Sequence, residues 1–80
     1  MLQELKTAKK VVGIKQLRKA LREGTVIRVF VADNADPRLT DPVVENCMAS
    51  DIPLERIPTM AQLGTACAIE VGAAVAAIVR

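Results

Sequence analysis

Hydrophobic and basic residues repeat with a helical period between two glycines near the start of the chain. Ile14, Leu17 and Leu21 fall at i, i+3 and i+7, which places them along one side of a helix. Cations with similar spacing lie on another side; these are Lys15, Arg18, Lys19 and Arg22. The pattern predicts an amphipathic helix that begins after Gly13 and ends at Gly24, a usual residue at a helix C terminus.

Apolar runs predict further elements on both sides of this helix. The spacing of Leu2 and Leu5 predicts a first helix that ends near Lys10, and 11–12 can form a very short strand. The run 26–32 is nearly all apolar, as expected of a strand that is covered on both faces.

Turn-forming residues at 33–37 separate this strand from the next predicted helix. Thr40 or Asp41 caps that helix, and Pro42 takes its first position. Its expected inner stripe is Val44, Cys47 and Met48.

The second half of the chain repeats the same order of elements. A short strand at 54–57 alternates apolar and polar residues, and Thr59 with Gln62 forms a capping box for a helix to about Cys67. The remaining segments are a loop at 68–72 and a buried strand at 73–79. Helices between buried strands predict an α/β fold, a three-layer α/β/α sandwich around one small mixed sheet. Eighty residues suit a single domain over 1–80.

The composition excludes several classes of function. The chain has no His, Trp or Tyr, and Phe30 is its only aromatic residue, so it cannot build a platform of rings that stack bases. Cys47 and Cys67 stand alone, which favours small buried hydrophobic residues in a reducing cytoplasm over a zinc site or disulfide. No nucleophile–base arrangement is visible, so we expect no catalytic residue, metal or cofactor and no enzyme.

The charges are unevenly distributed although the net charge of +2 is too small to indicate nucleic acid by itself. Acidic residues lie mainly between Asp33 and Glu55. Basic residues crowd the first quarter of the chain: Lys6, Lys9, Lys10, Lys15, Arg18, Lys19 and Arg22. This asymmetry predicts one positive face on a nearly neutral body.

Two segments are candidates for a binding site. A helix start offers unpaired N–H groups that bind anions, and Gly13 lets a phosphate approach the backbone. The alternative, which the segment by itself favours, is an ordinary solvated face between turn glycines. Ile69 and Val71 flank Glu70 in the loop before the last strand. They either pack into the core or form an apolar tip that holds an unstacked base, with Glu70 as acceptor.

Three motifs in order resemble the L-seven-Ae superfamily of ribosomal and kink-turn RNA-binding proteins, and its short bacterial members of the YbxF type above all. The segment GIKQLRKALREG keeps the length, both glycines and Lys19 of the archaeal G-A-N-E-x-T-K-x-x-E-R-G. The stretch 29–37 corresponds to VxxAxDxDP, and 63–71 to an LGxAxGIEV-like motif. The resemblance covers essentially the full length of the chain.

The resemblance implies a protein that binds the kink-turn, an RNA duplex bent at an internal bulge beside tandem G·A pairs. By position, Lys15 and Gln16 meet guanine edges, Lys19 meets a guanine or a phosphate, and the loop covers the bulged nucleotides. The implied RNA-binding residues are Gly13, Ile14, Lys15, Gln16, Lys19, Ile69, Glu70 and Val71. The implied partners are a structured RNA and, as a candidate, the ribosome; we expect a cytoplasmic monomer without membrane contact.

Three departures from the family pattern bear on this transfer. Lys15 replaces an Asn, and its side chain donates hydrogen bonds but cannot accept them. Gln16 replaces a Glu. Ala68 stands where Gly is usual, which costs on the order of 1 kcal/mol if the position needs a positive φ. The fold also hosts protein-interaction members, so a regulatory module that binds a protein is the alternative function.

Overall fold

The computed structural model describes residues 8–80, which form alternating strands and helices. The strands are β1 (Lys10–Val12), β2 (Val26–Ala32), β3 (Leu54–Ile57) and β4 (Val75–Val79). The helices are α1 (Ile14–Glu23), α2 (Pro37–Ala49) and α3 (Met60–Ala66). The helix predicted at Leu2 and Leu5 lies outside the described residues, and at its expected end Lys10 already begins a strand.

The strands of the described part form one mixed sheet in the order β1-β4-β2-β3. β4 runs antiparallel to β1 and to β2, whereas β2 and β3 are parallel. The C-terminal ends of β1, β2 and β3 therefore lie at the same end of the sheet as the start of β4. This end carries the starts of all three described helices, because each follows one of those strands.

Helices cover both faces of the sheet, which confirms the three-layer sandwich. Leu17 of α1 and Val43 of α2 pack with Val29 in one buried cluster. Leu63 of α3 packs with Phe30 in the cluster on the opposite face, since successive residues of β2 point to opposite sides. Cys47 and Cys67 are free thiols, one in each cluster, and burial raises the pKa of both.

The start predicted for α2 is wrong, because the helix begins five residues before Pro42, at Pro37. Asp36 is the cap: its carboxylate accepts a hydrogen bond from the Arg38 N–H at 2.9 Å. An Asp precedes each of two prolines, and the helix begins at the first pair, where Asp36 also binds the Arg38 guanidinium at 2.8 Å. That side-chain bond, with the backbone bond, lowers the pKa of Asp36.

The inner stripe predicted for α2 is also partly wrong. Cys47 is buried as expected, but Val44 is only half-buried and Met48 is 75% exposed. Thr40 and Val43 are buried instead, so the stripe is rotated by one residue. Hydropathy alone did not identify a buried threonine.

Candidate functional site

The two candidate segments lie at the same end of the sheet. The Gly13 N–H, just before α1, donates a hydrogen bond of 3.1 Å to the carbonyl oxygen of Val75, the first residue of β4. The Ala32 N–H donates a bond of 2.9 Å to the carbonyl oxygen of Ala74 beside it. The start of α1 thus lies beside the start of β4, three residues after the loop at 68–72, although more than fifty residues separate the two segments in sequence.

Gly13 has a conformation that only glycine adopts without strain. Its φ is 106°, and a Cβ atom at this position would lie 2.6 Å from Gln16 Oε1. No side chain caps α1, and its first turn carries no acidic residue. Gln16 therefore lies over a helix start whose backbone N–H groups are left for a ligand.

The side chains of α1 divide into a buried face and a basic face as predicted. Leu17 and Ala20 are buried. Ile14 is half-buried and packs against the α1–α2 side of the core. The exposed side chains are Lys15, Gln16, Arg18, Lys19, Arg22 and one acidic residue near the end of the helix, Glu23. Within residues 8–80, none of these cations forms an ion pair.

The loop at 68–72 is part apolar tip and part core. Val71 is 70% exposed and Glu70 is exposed, whereas Ile69 is half-buried against the α3 side of the core. The two possibilities left open for the loop therefore apply to different residues. Ala68 has a φ of 62°, so the usual family glycine is replaced at a position with a positive φ.

Close backbone packing fixes this loop against α3. A Cβ atom on Gly64 would lie 2.1 Å from the carbonyl oxygen of Val71. The Gly64 carbonyl accepts the Ile69 N–H at 3.0 Å. Sequence reasoning did not identify Asn34, whose side-chain oxygen accepts the Met60 N–H at 2.8 Å and ties the β2 end to α3. An Asn among turn residues is the only sequence signal for that contact.

Residues 8–80 contain no group of three or more acidic or cysteine side chains arranged to hold a metal ion. None of the described helices has the length and hydrophobicity to cross a bilayer.

The fold and this end of the sheet define a small three-layer α/β/α protein, in which an uncapped basic helix and an apolar loop tip lie at the same end of the sheet. A solved Giardia lamblia 15.5kD RNA binding protein has this architecture, with a TM-score of 0.88 and 26% identity over 99% of this chain and 70% of that one. A Bacillus halodurans protein of unknown function shares the fold at a TM-score of 0.87 and 22% identity.

The chain belongs to the ribosomal protein L7Ae/L30e/S12e/Gadd45 family, whose sequence profile matches residues 1–80. An RNA-binding protein of Geobacillus sp. strain WCH70 is 45% identical over 76 residues, which are 95% of this chain and 93% of that protein. The RNA-binding protein YbxF of Geobacillus stearothermophilus is 40% identical over 76 residues, which are again 95% of this chain and 93% of that protein. The resemblance seen in the three motifs is confirmed.

Proposed function

We propose that the chain binds structured RNA through the α1–loop surface, defined as residues 13–19 and 68–72, and that its target is a kink-turn. The hydrogen bond from Gly13 to Val75 carries the proposal, because it holds the basic helix start beside the strand that follows the apolar loop. The relatives that are named RNA-binding proteins support it. The kink-turn itself comes from the family resemblance.

In this proposal the two halves of the surface have different roles. Lys15 and Gln16 are exposed on the first turn of α1 and meet guanine edges, where a cation donates to O6 and N7. Lys19, one turn on, meets a guanine or a phosphate. Val71 covers a bulged base, and the Glu70 carboxylate accepts a hydrogen bond from the exocyclic amine of that base. Ile69 holds the loop in place. The chain then acts as a component of the ribosome or of another cytoplasmic ribonucleoprotein.

The first test compares a kink-turn RNA with the same duplex in which Watson–Crick pairs replace the G·A pairs. We expect tight binding to the kink-turn and much weaker binding to the control, because a protein without exposed aromatic rings reads shape and bulge geometry. Gel-shift titrations of both RNAs at one salt concentration measure this. Equal affinities would leave only a non-specific basic protein.

Matched variants on α1 separate base recognition from general attraction. Lys15→Ala or Gln16→Ala should cost roughly 1–3 kcal/mol of binding free energy and reduce the discrimination between the two RNAs. Arg22→Ala removes the same charge as Lys15→Ala about 10 Å further along the helix. Arg22→Ala should weaken binding to both RNAs alike and leave the discrimination between them intact. Equal loss of discrimination in Arg22→Ala and Lys15→Ala would overturn the assigned roles.

A further inference from the structure

A cavity of about 300 Å³ lies between α1, the edge strand β1 and the end of β4. Val11, Ala20 and Val79 form its apolar wall. Six polar side chains complete the lining: Lys9, Gln16, Lys19, Glu23, Thr25 and Arg80. Neither the sequence motifs nor the proposed kink-turn contacts account for Lys9 and Arg80.

Backbone hydrogen bonds hold the two cations that come from outside α1. The Val79 N–H donates to the carbonyl oxygen of Lys9 at 2.9 Å, and the Arg80 N–H donates to that of Thr25 at 3.0 Å. Both side chains are exposed. Among the described residues, neither they nor Lys19 form an ion pair. The backbones of Lys9 and Arg80 are therefore held in place, and their charged groups are available to a ligand.

The charge of the cavity favours an anion. Among the side chains that line it, three are positive and Glu23 is negative, which leaves these side chains with an excess of two positive charges. An anion between the cations relieves their mutual repulsion. The guanidinium and ammonium groups are the donors that proteins use for phosphate oxygens.

The cavity is continuous with the α1–loop surface. Gln16 and Lys19 belong to both, and together with Glu23 they occupy one flank of α1 at i, i+3 and i+7. This flank extends about 10 Å from the helix start toward Arg80. A duplex arm that leaves the kink along α1 would bring its backbone to the cavity.

We propose that this cavity binds a phosphodiester of the RNA duplex arm outside the kink, an inference that rests on the proposed function. The experiment uses the kink-turn RNA with short arms and the same RNA with each arm extended in turn by about five base pairs. The wild-type protein should gain affinity from one extension. Lys9→Ala and Arg80→Ala should each lose roughly 5- to 10-fold on the extended RNA at 0.1 M salt, with a salt slope lower by about one.

Lys10→Ala is the matched control, because it removes the same charge one residue away. Alternate residues of a strand face opposite sides, and Lys10 does not line the cavity. It should leave the gain from the longer arm intact. Circular dichroism of each variant tests whether the fold is unchanged, above all for Lys10→Ala, since Lys10 is half-buried.

The two proposals fail in different ways. Wild-type protein that does not distinguish the kink-turn from its paired control refutes the proposed function. Discrimination without any gain from a longer arm, or with a gain that survives in Lys9→Ala and Arg80→Ala, refutes the cavity proposal alone. Inorganic phosphate is titrated separately by NMR; binding at Lys9 and Arg80 without an arm-length effect would assign the cavity to a free anion and overturn the RNA contact.

Discussion

At the scale of single residues, Ala68 has a backbone conformation that alanine rarely adopts. Its φ of 62° costs about 1–2 kcal/mol in an L-residue that carries a Cβ atom. The exposed position leaves no packing reason for a methyl group. The sequence shows that Ala68 departs from the family pattern, but only the structure shows that its φ is positive.

Ala68→Gly should therefore raise the free energy of unfolding by up to about 1 kcal/mol, because relief of strain exceeds the extra entropy of glycine in the unfolded chain. Chemical denaturation measures this, and binding to kink-turn RNA should be equal or tighter. Ala61→Gly is the control in an ordinary helical conformation and should destabilise by about 0.5–1 kcal/mol. A similar loss in both variants would show that Ala68 carries no strain.

The two apolar residues of the loop should respond differently to serine. Val71→Ser exposes little new surface, so it should weaken RNA binding and change the free energy of unfolding by less than about 0.5 kcal/mol. Ile69→Ser removes packing from the core and should destabilise by roughly 1–2 kcal/mol.

Thermal denaturation and gel-shift titration of the same two samples distinguish these effects. Met48→Ser, at a residue that is 75% exposed on α2, is the control for loss of an apolar side chain far from the loop. It should change neither stability nor affinity. Unaltered RNA binding in Val71→Ser would remove the loop from the proposed site.

At the scale of elements, α3 and the loop at 68–72 form one packed unit around Gly64. Any side chain at this position would collide with the backbone of Val71, and a backbone atom cannot rotate aside as a flexible side chain can. The sequence favoured close packing here because a glycine inside a helix carries a cost. It did not show that the partner is the loop itself.

Gly64→Ala should displace the loop, lower the free energy of unfolding by about 1–3 kcal/mol and weaken RNA binding. Thr65→Ala changes an exposed neighbour on the same helix and should have little effect on either quantity. Urea denaturation followed by RNA titration of the folded protein measures both. Gly64→Ala with wild-type stability and affinity would mean that the loop moves without cost.

At the scale of the whole molecule, the order of strands decides which parts of the chain are neighbours. β4 lies between β1 and β2, so its first residue contacts both Gly13 and the end of β2. The proposed RNA site exists because this arrangement joins two segments from opposite halves of the sequence. The cavity beside α1 depends on the same arrangement, since its cations come from both ends of the described chain.

The sequence by itself determined the elements whose patterns are local. The amphipathic period of α1, the apolar runs of β2 and β4 and the capping box of α3 each predicted the observed element, because near neighbours decide helix periodicity, strand burial and capping. The three motifs also predicted the family. The predicted start of α2 was wrong because two Asp-Pro pairs offered equivalent local signals.

Only the tertiary structure decided which residues of the proposed site are accessible and which lie at the same end of the sheet. Ile69 and Val71 have similar hydropathy, yet one packs on the core and the other is exposed, because the positive φ of Ala68 and the contact at Gly64 orient the loop. Burial and adjacency depend on contacts between residues far apart in sequence. No local pattern of hydrophobic and polar positions encodes these contacts.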